Sequence, residues 1–178
     1  MDEGVLAELD IQCLVLKYPP EVSKEVVQMD YPREMEFLAD NERRTQFIKN
    51  LTLDKKGNTL ILFQYVDKHG RKIFDAFQRA GIKSFFIYGG TDTKNREHVR
   101  ELMERESGCV IIASYGTFST GINIKNLHNI IFASPSKSKI RVLQSIGRVL
   151  RTSKDKFNAT LFDIADDLSY KNRDNYTL

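Results

Sequence analysis

Residues 109–133 read CVIIASYGTFSTGINIKNLHNIIFA. Two short apolar, β-branched runs, Cys109–Ala113 and Asn129–Ala133, flank a stretch of small, hydroxylated and polar residues. Neither run alternates apolar with polar. A strand with one wet face alternates with period two, whereas a strand buried on both faces of a parallel sheet is continuously apolar. Working outward, the same signature recurs at Thr59–Tyr65 (TLILFQY), Ser84–Tyr88 (SFFIY) and Ala159–Asp163 (ATLFD).

Helical spacing fills most of the intervals. Asn41 is placed to cap a helix that runs to Leu53 with Phe47, Ile48 and Leu51 inward. A second helix is expected from about His69 to Ala80, with Ile73, Phe74 and Phe77 inward and Gly81 as its stop. A third starts near Thr93, buries Val99, Leu102 and Met103, and ends at Ser107-Gly108. A fourth follows Ser138 with Ile140, Leu143, Ile146 and Leu150 inward. Strand–helix alternation predicts right-handed βαβ units and an α/β, doubly wound parallel sheet. Ligands of such sheets gather at the carboxyl ends of the strands. The first 35 or so residues differ: a possible strand, Gln12–Lys17, then Tyr18-Pro19-Pro20 and an acidic stretch. The polar tail Tyr170–Leu178 is expected to fray.

The chain of 178 residues suffices for one domain with its own core. Net charge is only +3, but its distribution is uneven. Residues 1–40 carry ten acids and three bases, whereas residues 134–156 carry seven bases against Asp155. A basic segment attracts phosphates through its field, or is simply a solvated helix face. Cys13 and Cys109 form no CxxC pair, and the three histidines lack metal-ligand spacing, so no metal site is expected on this chain. Cys109 reads as a small core residue. The apolar runs are too short to span a membrane and no signal pattern opens the chain, which predicts a reducing, cytoplasmic setting.

Three segments carry candidate chemistry. In Gln144-Ser145-Ile146-Gly147-Arg148-Val149-Leu150-Arg151, helical spacing puts Gln144, Arg148 and Arg151 on one face, at i, i+4 and i+7. Two arginines and a glutamine make a donor array suited to phosphate oxygens, and Gly147 leaves a bare patch for a close approach. The alternative is a set of surface arginines in minor ion pairs. In Ser114–Ile124 (SYGTFSTGINI), small and hydroxylated residues after a parallel strand read as a loop that presents N–H and O–H donors, or as a polar strand-to-helix turn. In Thr59–Gly70 and Tyr88–Thr93, Gln64, Tyr65, Lys68, His69, Gly90, Thr91 and the following Arg96 stand where a strand opens into a helix, and each also reads as plain loop surface.

Taken in order, these segments resemble motifs IV, V and VI of superfamily 2 helicases over residues 59–152, closest to phage recombination helicases that process branched DNA. The resemblance implies a RecA-like fold and the second motor domain of an ATP-dependent DNA helicase. Arg148 and Arg151 would act as arginine fingers at the ATP γ-phosphate, with Gln144 sensing the nucleotide. Gly121, Asn123 and Gly147 would face the nucleotide. Ser114, Thr117, Gln64, Tyr65, Lys68, Gly90, Thr91 and Arg96 would line the nucleic-acid track. The family often has Arg where Ser145 stands and Asp where Asn123 stands. Residues 1–35 are then a lead-in from an N-terminal motor domain, and residues 36–178 the RecA-like domain proper. No G-x-x-x-x-G-K-[ST] and no Walker B acid motif occurs, so ATP and Mg²⁺ are expected mainly on that N-terminal domain, with single-stranded or branched DNA as the other partner. If the source is a phage, the setting is the host cytoplasm. Competing readings are a non-catalytic nucleic-acid binding or annealing module, a restriction-type translocase and a flavodoxin-like ligand-binding domain.

Overall fold

The continuous apolar runs become strands of one six-stranded sheet in which every pairing is parallel. A computed structural model describes residues 9–119, 124, 126–136, 140, 143, 144, 146 and 158–178. In chain order its elements are β1 (Leu9–Lys17), α1 (Pro20–Val26), α2 (Tyr31–Asp40), α3 (Glu42–Leu53), β2 (Thr59–Phe63), α4 (Arg71–Arg79), β3 (Ser84–Ile87), α5 (Thr93–Arg105), β4 (Val110–Ser114), α6 (Tyr115–Ser119), β5 (Asn129–Phe132) and β6 (Ala159–Asp167). The strand order is β1-β6-β5-β2-β4-β3. The α/β doubly wound sheet expected from the sequence is therefore the one that forms.

Each central strand divides its side chains between two cores, because successive residues point to opposite faces. Leu60 and Leu62 join Ile111, Ala113, Ile130 and Phe132 beneath Val99 and Met103 of α5. Ile61 and Phe63 join Val110, Ile112, Ile131 and Phe162 beneath Ile48 of α3 and Ile73 and Phe77 of α4. Both faces are covered, so β2 and β4 are buried along their whole length. The helix bounds follow local chemistry. The Asn41 side chain accepts from the Arg44 N–H and caps α3, and the Asp92 side chain accepts from the Asn95 N–H and caps α5. Gly81, at φ +68°, supplies the left-handed residue that ends α4. Cys109 is buried, as expected.

Three expectations need correction. The tail does not fray. The buried Glu34 carboxylate accepts from Asn175 Nδ2 (3.0 Å) and from the backbone N–H groups of Tyr176 and Thr177 (2.9 Å each). Asn175 also receives the Leu168 N–H and donates to the Asp166 carbonyl. Specific acceptors, which composition cannot reveal, hold a polar segment down. Ile140, expected inward, is 68% exposed. Its helix packs through Leu143 and the buried Ile146, and at roughly 100° per residue Ile140 lies about 120° around from Ile146. Leu150 lies outside the described residues. Third, the residues after β4 form the short helix α6 instead of an open loop. Tyr115 and Phe118 anchor α6 in the core.

The strand anticipated at Gln12–Lys17 belongs to β1, which pairs along its length with β6 at the sheet edge. The acidic stretch after it supplies α1 and α2, where Val26 and Leu38 close a third, smaller core with Leu168.

Asn175→Ala leaves the Glu34 carboxylate short of a buried donor. We expect it to lower the unfolding free energy by about 1–3 kcal/mol in urea titration. An unchanged midpoint would show that the tail contributes no stability.

Candidate functional site

The carboxyl ends of β2, β3, β4 and β5 bring most of the candidate residues to one edge of the sheet. The chain leaves β2 at Gln64 and enters α4 through a π turn at Val66–Gly70, in which the N–H groups of both His69 and Gly70 donate to the Tyr65 carbonyl. The helix expected from about His69 thus begins earlier, and wider. The reason is steric: a Cβ on Gly70 would lie 2.4 Å from the Phe63 ring. Only glycine lets the turn pack so closely, and such π turns gather at functional sites.

Within this turn the predicted residues differ in access. Tyr65 is 40% exposed. Lys68 is exposed and paired with Glu36 of α2 at 2.8 Å, and that pairing holds the ammonium pKa above its ordinary value. Gln64 is exposed but tethered: its N–H donates to Ser134 Oγ, and its Oε1 accepts from Ser136 Oγ. His69 points inward, where its Nδ1 lies 2.6 Å from Ser134 Oγ. Burial, reinforced by the Arg44 and Lys72 charges, pushes its pKa down to about 3. The ring is therefore neutral. Its Nε2 is buried without a hydrogen-bond partner among the described residues.

At the end of β4 the hydroxyls of Ser114 and Thr117 lie 2.7 Å apart, both buried. They face each other instead of presenting donors outward, because α6 folds back onto the core. After β3, the Tyr88–Thr91 turn is closed by Thr91 Oγ1, which accepts from the Tyr88 N–H at 3.0 Å. Arg96 donates to the carbonyls of Tyr88 and Gly89 at 3.2 and 3.0 Å. Its guanidinium braces the turn that holds Gly90. Gln144 is exposed on the helix that packs through Leu143 and Ile146. Arg148, Arg151, Gly147, Gly121 and Asn123 lie outside the described residues.

Sequence reasoning missed the polar cluster beneath this edge. Arg44 and Asp166 form a bidentate pair with both side chains buried: Nε to Oδ1 and Nη2 to Oδ2 are each 2.9 Å. Arg44 also donates to the Ala133 carbonyl, and the Tyr18 hydroxyl donates to Asp166 Oδ1 at 2.7 Å. Burial and the Asp166 charge raise the Tyr18 pKa, so the phenol stays protonated as a donor. Nothing in the spacing distinguishes Arg44 from Arg43 beside it. Among the described residues no group of three His, Cys, Asp or Glu side chains converges. No helix among them is long and apolar enough to cross a membrane.

Two predictions follow from the π turn. Gly70→Ala should destabilise the fold by about 1–3 kcal/mol, because the added methyl meets an aromatic ring in a packed core; thermal unfolding measures it, and an unshifted midpoint would refute the steric account. The second concerns acid. The folded pKa of His69 lies below its ordinary 6.5, so the unfolded chain binds one more proton between pH 6.5 and about 3. Stability from this group is complete above pH 6.5 and is lost as pH falls through that window, at up to about 1.4 kcal/mol per pH unit. In urea titrations across that range His69→Asn should flatten the acid limb; an identical limb would show that His69 does not contribute to it.

With this geometry in hand, comparison with known proteins is direct. Residues 42–153 match the family model described as helicase conserved C-terminal domain. The chain is 37% identical over 174 residues to the ATP-dependent DNA helicase uvsW of Enterobacteria phage T4, covering 96% of this chain and 34% of that protein. It spans about a third of the length of that relative. The crystal structure of T4 UvsW superimposes with a TM-score of 0.80 at 38% identity, over 93% of this chain and 34% of that one. The yeast DEAD-box splicing factor Prp28 shares the fold at 15% identity and a TM-score of 0.63, over 93% of this chain and 31% of that one. The all-parallel sheet with its flanking helices matches RecA-like helicase C-terminal domains, and the chain belongs to the helicase conserved C-terminal domain family.

Proposed function

We propose that this chain is the second motor domain of an ATP-dependent DNA helicase or translocase that unwinds or remodels branched DNA in recombination, repair or replication. The observation that carries the reading is that the segments resembling motifs IV and V follow β2 and β4 at their carboxyl ends, on a sheet that matches T4 UvsW at a TM-score of 0.80. The T4 relative's description as an ATP-dependent DNA helicase supports ATP as the fuel and DNA as the track.

In this reading residues 1–35 lead in from an N-terminal RecA-like domain that holds most of the ATP contacts. ATP sits in the cleft between the two domains. Arg148 and Arg151 reach its γ-phosphate and stabilise the charge that develops there, while Gln144 senses the nucleotide. Gly121 and Asn123 face the nucleotide, and Gly147 leaves room for its close approach. Tyr65 and Lys68 meet the DNA backbone from the π turn, and Gln64, Gly90, Thr91 and Arg96 shape the neighbouring track. Ser114 and Thr117, turned inward, set the backbone of α6 beside the track. Lys68 exchanges Glu36 for a phosphate when DNA binds; an exposed pair of this kind is worth about 0–1 kcal/mol and yields easily. Cycles of cleft closure and opening move the domains along one strand.

A second reading, a non-catalytic nucleic-acid binding or annealing module, is favoured by one observation: the chain itself carries no phosphate-binding loop.

ATP hydrolysis with and without forked DNA separates the two. The chain by itself should show no motor-like hydrolysis, and robust DNA-dependent hydrolysis would contradict that. Paired with its N-terminal motor domain, it should hydrolyse ATP in a DNA-stimulated manner. Arg151→Ala should then reduce the rate by about 10³-fold or more with ATP binding kept. A native rate indifferent to DNA, or a mutant as fast as native, would favour the binding module.

A further inference from the structure

Ser134 stands directly after β5 and is fully buried, at 0% exposure. Its hydroxyl accepts the Gln64 N–H at 3.1 Å and meets His69 Nδ1 at 2.6 Å. Its carbonyl accepts the Tyr115 hydroxyl at 2.7 Å. One buried residue therefore touches the exits of three strands: β2 through Gln64 and the π turn, β4 through Tyr115 at the start of α6, and its own β5. From β5 the chain continues through Pro135 and Ser136 toward the Gln144–Arg151 segment. Ser136 adds a second bond to the same loop, Oγ to Gln64 Oε1 at 3.0 Å.

The reach of a serine is short, so these contacts tolerate little relative movement. A hydrogen bond stretched by about half an ångström beyond 3.1 Å is no longer one. His69 depends on Ser134 especially. Its Nε2 is unpaired among the described residues, so hydrogen bonding fixes the ring, and with it the inner side of the π turn, through Ser134. Immediately upstream, the Ala133 carbonyl is held by Arg44. That contact ties the junction to the buried Arg44–Asp166 pair and gives it a rigid seat. Buried hydrogen bonds, stronger than the same bonds in water, stiffen the parts they join.

We propose that Ser134 is a positioning residue that couples the Gln64–Gly70 turn and α6 to the exit of β5, so that the DNA-facing loops and the approach to the arginine-finger segment shift as one unit. Its role in transmitting DNA binding to ATP hydrolysis rests on the motor reading above. The mechanical unit rests only on the contacts just described.

Amide hydrogen exchange on this chain tests the unit. In Ser134→Ala, protection at Gln64, His69 and Gly70 should fall about tenfold or more, together with that at Thr117 in α6. The amides of Leu168 and Thr177, held by Asn175 and Glu34, should keep their rates. Tyr115→Phe removes a single hydroxyl and should loosen Gln64 as well as Thr117. Loss confined to Gln64 in the first variant, no effect on Gln64 in the second, or an equal rise at every amide would overturn the unit and leave Ser134 a local or merely structural residue. In the motor assembled with its N-terminal domain, Ser134→Ala should lower the DNA-stimulated ATPase rate roughly three- to thirty-fold while the DNA-free rate stays unchanged. Full stimulation in that variant would overturn the coupling. A native motor without DNA stimulation would instead overturn the motor reading, and the exchange result would still decide the unit.

Discussion

The Arg44 guanidinium and the Asp166 carboxylate meet 122 residues apart in sequence, with almost no solvent on either side chain. Two charges taken out of water are tolerated only when geometry and further hydrogen bonds compensate, and here both conditions hold. The bidentate fork satisfies both carboxylate oxygens, Tyr18 adds a third donor, and the remaining guanidinium nitrogen finds the Ala133 carbonyl. The pair thereby fixes α3 against β6, the end of β1 against β6, and the exit of β5 against α3. Removing one partner would strand a buried charge at a cost of about 3–5 kcal/mol. The carboxyl edge, where the candidate residues collect, is built on this clamp.

The neighbouring polar groups extend the same logic. Ser134 follows Ala133, and His69 is kept neutral by burial and by the nearby cations. Burial likewise keeps the Tyr115 phenol protonated, so that it can donate to Ser134. On the outside, α2 lies against the π turn and α4 through Lys68–Glu36 and Lys72–Asp40. The edge therefore has a buried, hydrogen-bonded interior, with His69 Nε2 left unpaired among the described residues, and an exposed rim of ion pairs.

Much of the fold was legible because burial leaves a periodic trace. Thr59–Tyr65 and Cys109–Ala113 read as doubly buried strands, and the strands that form there, Thr59–Phe63 and Val110–Ser114, are buried throughout. Asn41 and Gly81 mark helix ends through capping and backbone chemistry that act locally. The site was legible in part, through motifs whose order carried more information than any one of them. What stayed hidden was long-range or set by shape. Arg44 and Arg43 are alike on paper, and only the opposed Asp166 selects one. Glu34 and Asn175 look like surface residues until the tail is seen folded onto α2. Ser114 and Thr117 have the composition of an exposed loop, yet the apolar Tyr115 and Phe118 beside them turn the segment inward. The earlier start of the α4 region follows from a ring, Phe63, whose contact with Gly70 no local pattern encodes.

The sheet edge also imposes an order on biosynthesis. β1 is made before β2, but among the described residues its partner in the sheet is β6, which follows β5. Parallel pairing between such distant segments must wait for loop closure. A ribosome delivers β2 to β5 before β6, so the four adjacent strands β5-β2-β4-β3 can assemble while residues 9–17 still lack their partner. During that interval Leu14 and Leu16, which finally pack against the core, are without cover, and Ile11 and Val15 remain 57% and 50% exposed even in the finished sheet. A nascent chain of this design is most vulnerable to self-association just before β6 emerges.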